Sequence, residues 1–275
     1  MELNSITYEK SDGIARIIKD NPPQYGMTLE ILLEMKKTLE DAANDDDISV
    51  IVISAAGEGF HLGAVVFGEV GNADWKLTPI EFREISQFAR EIFRYIETLE
   101  KPVIGVAKSG AVGGGFENLH ACDFVIASDD AKFSQPEVTL GLCTGWGGSQ
   151  RLTRMVGWRK AKELLLTGIE IDGKEAEKIG AITKSVPLEK VDKEVNELCN
   201  RLKICAPVAW GYTKLAMNKV WETDHRTGLD FEVEAWGMVN SEREFNANVF
   251  DDFLNGRQPK FKKRKKITSD WHKSE

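Results

Sequence analysis

Apolar and polar positions along this chain switch repeatedly between two periods. Ile14–Ile18 is a short apolar run after Gly13, and Leu29, Leu32, Leu33 and Leu39 then recur at helical spacing. The acidic run Asp45–Asp47 predicts the end of that helix. Ile48–Ser54 (ISVIVIS) follows without a charge and rich in β-branched residues, the pattern of a strand buried on both faces. A loop punctuated by Gly57, Gly59 and Gly63 leads to Ile85, Phe88, Ala89, Ile92, Phe93 and Ile96, whose spacing makes the clearest amphipathic helix in the chain. Val103–Ala107, a loop SGAVGGG (109–115) and the strand Phe124–Ser128 come next. The recurring strand–loop–helix order predicts right-handed crossovers and a largely parallel sheet.

Past about residue 200 the strand signals stop. Residues 206–256 are helical in character and carry Trp210, Tyr212, Trp221, Phe231, Trp236, Phe245, Phe250 and Phe253. A short helical segment cannot hide so many aromatics alone, so they are expected to pack on the core or on another subunit, and a homo-oligomer is expected. The reading is an α/β core over 1–200, a helical region over 201–256 and a basic tail over 257–275.

Composition narrows the possible functions. The 275 residues are 42% hydrophobic and 29% charged, an ordinary balance for a globular chain. No stretch approaches the ~20 uninterrupted apolar residues of a membrane helix. The N-terminal stretch carries Glu2, Glu9 and Asp12, which argues against a secretory signal, so a cytoplasmic protein without a membrane partner is expected. A net charge of −8 argues against duplex nucleic acid as a partner. Cys122, Cys143, Cys199 and Cys205 form no CxxC pair and no metal-like spacing, so reduced thiols and no metal are expected. Against the acidic background, Arg257–Lys266 holds seven basic residues. That cluster reads either as a solvated tail or as a contact for an anionic ligand such as a nucleotide phosphate.

Three loops concentrate the candidate chemistry: Phe60–Phe67, Ser109–Glu117 and Phe133–Leu152. Gly113, Gly114 and Gly115 directly after a strand permit close approach of backbone or ligand, and their N–H groups at a helix start can face an anion. Taken alone they fit a tight helix–sheet contact equally well. Glu117 lies in the first turn of the helix that begins at these glycines, where a carboxylate also suits the helix dipole. Glu137 follows Pro136 in a mostly apolar turn. Two carboxyls facing one water can divide the work, one accepting its proton while the other delivers a proton to carbon.

In combination the loops resemble the enoyl-CoA hydratase/isomerase (crotonase) superfamily from about Ile6 to Lys262. The resemblance rests on F-x-x-G-A at Phe60–Ala64, G-A-V-G-G-G-x-E at Gly110–Glu117, A-C-D at Ala121–Asp123, A-x-F-x-Q-P-E at Ala131–Glu137 and G-x-x-x-G-x-G-G-x-Q-R-L at Gly141–Leu152. LLLTG (Leu164–Gly168) and EKIGAIT (Glu177–Thr183) continue it. It implies a crotonase-like spiral of ββα units with a helical C-terminal trimerisation region, assembled as a trimer or a dimer of trimers. The implied activity is reversible addition of water to an α,β-unsaturated acyl-CoA, giving the 3-hydroxyacyl-CoA. No cofactor is implied, because coenzyme A enters as part of the substrate.

Carried over residue by residue, the resemblance gives Ala64 and Gly114 the two N–H groups of an oxyanion hole and makes Glu117 and Glu137 the catalytic acids. Gly63, Val65, Val66, Gly113 and Gly115 would line the thioester and coenzyme. Phe261 and Lys262 fall where the family places an aromatic–lysine pair near the nucleotide. Retention of both acids favours hydration or dehydration and argues against non-enzymatic binding. Isomerisation, dehalogenation or ring C–C hydrolysis, separated by product identity, and thioester hydrolysis, separated by thiol release, stay as rivals. There are departures as well. Val65–Phe67 replace a common acidic residue, Asn118 replaces an apolar one, and Gly26 stands where an asparagine is usual. His61 reads as a loop histidine before it reads as a base. Leu62, Val65, Phe67 and Trp146 hint at a bulky or cyclic acyl group, Trp146 being either pocket lining or core packing.

Overall fold

The structure, a computed structural model, describes residues 2–22, 25–57, 63, 78–241 and 243–261. The first two strands, β1 (Ile6–Ser11) and β2 (Ile14–Lys19), form an antiparallel hairpin that pairs Ser11 with Ile14. Asp12 and Gly13 turn it with φ of 49° and 74°, the backbone a tight two-residue hairpin turn demands. The chain then enters α1 (Leu29–Asn44), where the Thr28 hydroxyl accepts from Ile31 N–H at 3.1 Å. Asp45 ends this helix as expected.

Strand β3 (Val50–Ala55) lies parallel to β2 and is buried over its first four residues, as its charge-free run predicted. Helix α2 (Pro79–Thr98) starts in a capping box: Glu81 N–H donates to the Thr78 hydroxyl, and Thr78 N–H donates back to the Glu81 carboxylate at 2.7 Å. Its buried stripe is Ala89, Ile92, Phe93 and Ile96, with Ile85 and Phe88 half-buried beside it.

From there β4 (Val103–Ala107) runs into β5 (Gly110–Val112), so part of the expected SGAVGGG loop is strand. After α3 (Gly114–Leu119) come β6 (Phe124–Ser128) and β7 (Lys132–Ser134). Next are α4 (Gly148–Val156), α5 (Trp158–Thr167), β8 (Ile171–Asp172), α6 (Gly173–Lys178), β9 (Lys184–Val186) and α7 (Val191–Lys203). Three helices, α8 (Pro207–Glu222), α9 (His225–Ser241) and α10 (Arg243–Leu254), finish the described chain. Helix α7 belongs to the core yet runs past residue 200 to Lys203, so the helical region proper begins with α8.

The main sheet has the order β1-β2-β3-β4-β6-β9, parallel everywhere except the N-terminal hairpin. One face packs on α1 and α2 through Met35, Leu39, Phe93 and Ile96. The other is covered by Val191, Val195 and Cys199 of α7. That two-sided cover is why β3 and β4 carry almost no polar residue. A smaller sheet, β5-β7-β8, stands apart from the first. Gly110 is what lets β5 approach β7, since a Cβ there would lie 2.0 Å from the Lys132 carbonyl oxygen. Among the described residues no helix is long and apolar enough to cross a membrane, and no group of three side chains suits a metal ion.

Candidate active site

The parallel pairing of β5 with β7 builds the site. Val112 pairs with Ser134, and Gly113 N–H extends the ladder to the Ser134 carbonyl at 3.0 Å. Each strand then leaves the sheet into a motif: β5 into Gly113–Glu117, β7 into Gln135–Glu137. Two segments some twenty residues apart in sequence thereby present their carboxylates to one space. Gly113 is held at φ 54°, and a Cβ there would meet Glu137 Oε1 at 3.2 Å. Glycine therefore serves both the backbone and the carboxylate beside it.

Gly114 is the first residue of α3, so its N–H has no carbonyl within the helix to bind. Gly63 crosses directly in front of it: a Cβ on Gly63 would stand 2.8 Å from Gly114 N and 2.9 Å from the Val112 carbonyl oxygen. The structure thus brings Gly63, Gly113, Gly114, Glu117 and Glu137 together, with Gly115 buried behind them in α3. Ala64, Val65, Val66 and Lys262 lie outside the described residues, as do His61, Leu62 and Phe67. Phe261 is the last described residue, beyond α10.

Glu117 is 2% exposed. Trp146 N–H and Gly148 N–H donate to its Oε1 at 2.9 and 2.7 Å. Burial pushes its pKa up to about 7, assisted by the negative charge of Glu137 and opposed by those two N–H groups and by Arg151. Glu137 opens the 3₁₀ turn Glu137–Leu140 and is half-buried, and burial raises its pKa as well. Close carboxyls of this kind lose protons as a pair. Both N–H donors to Glu117 bind the same oxygen, Oε1.

Several contributors to the site stood in the quoted motifs without a role assigned to them. Gln135 is 1% exposed; with its amide nitrogen turned toward Glu137 it donates to Oε1 at 2.8 Å and Oε2 at 3.2 Å. Gly147, at φ 116°, starts α4 so that Gly148 N–H meets Glu117. Arg151 donates to the Trp146 carbonyl at 2.7 Å and pairs with Glu97 of α2, fixing the Trp146–Gly148 corner from behind. The Trp146 indole is 3% exposed and packs edge-on to Phe93, with ring centroids 5.8 Å apart. Its direct contact with the carboxylate pair is through its backbone. The motifs at Ala131–Glu137 and Gly141–Leu152 spanned these residues, but a side-chain pattern does not announce a backbone donor.

Comparison with known proteins gives a consistent picture. A family model described as enoyl-CoA hydratase/isomerase matches residues 9–264. The chain is 35% identical over 238 residues to a short-chain-enoyl-CoA hydratase of Clostridium acetobutylicum, covering 86% of this chain and 90% of that protein. It is 34% identical over 239 residues to a crotonyl-CoA hydratase of Syntrophomonas wolfei, covering 86% and 90%. A crystal structure of an enoyl-CoA hydratase from Bacillus anthracis superposes with a TM-score of 0.86 at 27% identity, covering 95% of this chain and all (100%) of that one.

Proposed function

Because the chain belongs to the enoyl-CoA hydratase/isomerase family, we propose that it is a hydratase (a lyase) that adds water reversibly to 2-enoyl-CoA thioesters. The observation that carries this is the pair of carboxyls: Glu117, buried and raised in pKa with the charge of Glu137 assisting, and Glu137, also raised, with Oε1 beside the Gly113 turn. An enolate-forming reaction without water needs one base. Two carboxyls flanking the same space suit a reaction in which a water gives up one proton and the carbon chain gains another.

The steps follow from the chemistry. The thioester oxygen accepts from Gly114 N–H and, by the family resemblance, from Ala64 N–H. That polarises the conjugated system and makes C3 electrophilic. One carboxylate takes a proton from water as its oxygen bonds to C3, and the π electrons move onto the thioester oxygen as an enolate. The other carboxyl, protonated at the start, delivers its proton to C2 as the enolate collapses. Atoms and charge balance without a redox or metal group. Removing one such oxyanion donor costs roughly 3 kcal/mol of transition-state stabilisation in other enzymes.

The acyl group is a short linear one. Of the residues that suggested a bulky or cyclic acyl group, Trp146 directs its ring into the core. The relatives just compared are named for short-chain and crotonyl substrates. By the family resemblance, Gly63–Val66 are the residues assigned to coenzyme A and Phe261–Lys262 with the basic tail those assigned to its nucleotide. The assembly is a trimer or a dimer of trimers, supported by the apolar surface that α8–α10 leave uncovered.

Loss of the conjugated-thioester ultraviolet absorbance tests the reading when purified protein meets a panel of linear and cyclic enoyl-CoAs. Fastest loss with a four- to six-carbon linear acyl group is the expected outcome. Free thiol release instead of hydration would move the reading to a thioesterase, and a cyclic substrate winning the panel would restore the bulky-acyl alternative.

A further inference from the structure

Lys19, the last residue of β2, has no exposed surface at all. A lysine buried this way is expensive unless its amine has a task, and an apolar residue of similar volume would fill the space without desolvating an amine. Among the described residues its hydrogen bonds involve no carboxylate. Nζ donates to the Tyr25 carbonyl at 3.1 Å and touches Met27 Sδ at 3.8 Å.

Both partners lie on the bend that carries the chain from β2 to α1. Tyr25 holds φ at 48°, an uncommon conformation for a residue with a side chain. That backbone turns its carbonyl inward, where a missing donor would be costly. Asn21 braces the same bend: its Nδ2 donates to the Gly26 carbonyl at 3.0 Å, and its carbonyl accepts from Tyr25 N–H at 3.1 Å. The bend ends at Met27, whose N–H donates to the Gly63 carbonyl at 3.1 Å. Gly63 is the residue that crosses in front of Gly114 N–H. A continuous path therefore runs from the Lys19 amine, through Tyr25 and Met27, to the wall of the oxyanion site.

We infer that Lys19 is a positioning residue for that site: its buried amine holds the Tyr25–Met27 bend so that Met27 N–H sets the distance between Gly63 and Gly114. The inference rests on the reading of Gly114 N–H as a thioester-oxygen donor. Burial also lowers the Lys19 pKa to about 7, which limits the cost of keeping the amine there. A donor survives in either state, because the neutral amine still carries two N–H groups.

The test uses the full chain with Lys19→Met, which keeps volume and deletes the donor, and Lys19→Gln, which keeps a shorter donor. Oxyanion spacing acts on charge that develops in the transition state, so kcat should fall by about tenfold or more in Lys19→Met while KM stays within about twofold. The second readout is the infrared carbonyl stretch of a bound, unreactive saturated acyl-CoA. Wild type should shift it to lower frequency, Lys19→Met should lose most of the shift, and Lys19→Gln should retain part of it and part of kcat.

No carbonyl shift in the wild type would sink the oxyanion reading itself. A wild-type shift that survives with full kcat in Lys19→Met overturns the role given to Lys19. If Lys19→Met does not fold, Lys19→Gln decides alone: a reduced shift with reduced kcat supports the inference, and a full wild-type shift with full kcat overturns it.

Discussion

The sheet core and the C-terminal helices solve the problem of apolar surface in opposite ways. In the core, α2 shows one buried stripe, and the main sheet is covered on both faces. Among the described residues of α8 and α9, only Gly211, Lys214 and Ala235 are buried. Val220, Trp236, Phe253 and Leu254 are 77%, 70%, 74% and 80% exposed. Polar contacts do much of the work of fastening α8 to the core. Lys214 Nζ donates to Asp123 at 2.7 Å and to the Ile96 carbonyl at 2.9 Å, Asn218 donates to the Glu97 carbonyl at 2.8 Å, and Arg94 pairs with Glu222. The close approach comes at Gly211, where a Cβ would meet the Glu100 side chain at 3.0 Å. Apolar packing thus makes the core a finished object. Helix α8 is pinned by charge and hydrogen bonds, and α8–α10 leave large apolar side chains exposed.

If chemistry lives in the core, the largest effect belongs there. Glu117→Gln and Glu137→Gln should each lower kcat by about 10²–10⁴-fold with acyl-CoA binding nearly intact, measured by steady-state kinetics beside calorimetric titration. Either variant turning over at the wild-type rate would remove that residue from the mechanism.

Cutting the polar fastening should come next. Asp123 is held by Lys214 and by Val103 N–H at 2.8 Å, and burial still leaves its pKa up at about 6. Losing one partner strands the other, so Lys214→Met or Asp123→Asn should cost roughly 3–5 kcal/mol in denaturant unfolding. The double variant should recover part of that loss. Additive losses would mean that the two residues act independently.

The exposed faces supply a third contrast. Trp236→Glu and Phe253→Glu should reduce the assembly to the mass of a single chain in light scattering while leaving the core's unfolding nearly unchanged. Wild-type protein that is already monomeric would remove the reason given for the apolar helices.

The smallest effect is a slope with pH. The folded protein holds a proton on Glu117 up to about 7, whereas the ordinary value is 4.5, so between those pH values the folded state binds more proton than the unfolded one. Stability from this group therefore falls as pH rises through that window, and Glu117→Gln should flatten the decline in thermal melts. An unchanged slope would place the raised carboxyl elsewhere.

How much of this was legible in the sequence differs by element. The α2 periodicity and the charge-free β3 run were plain, because each reports one burial pattern over many residues. The β1–β2 hairpin was hidden, since in β1 only Ile6 is fully buried and the alternation carries no contrast. Strands β8 and β9, with 2 and 3 residues, are too short to hold a period. At the site Glu117 and Glu137 could be read, whereas the Trp146 and Gly148 N–H groups that orient Glu117 belong to the backbone and have no residue code. His120 was invisible in another way. It is 2% exposed, its ring tilted against Phe116 with centroids 4.0 Å apart, neither ring nitrogen has a hydrogen-bond partner among the described residues, and burial pushes its pKa down to about 3. Only packing reveals that it sits neutral in the core, as the C-cap of the helix that carries Glu117.

The most direct test of the hydratase reading is a mass-spectrometric assay of wild type, Glu117→Gln and Glu137→Gln with crotonyl-CoA in water enriched in heavy oxygen. The expected result is a wild-type product heavier by one water, with the label on the acyl chain and almost none formed by either variant. Label in a released free acid, or an unchanged mass with a moved double bond, would contradict it.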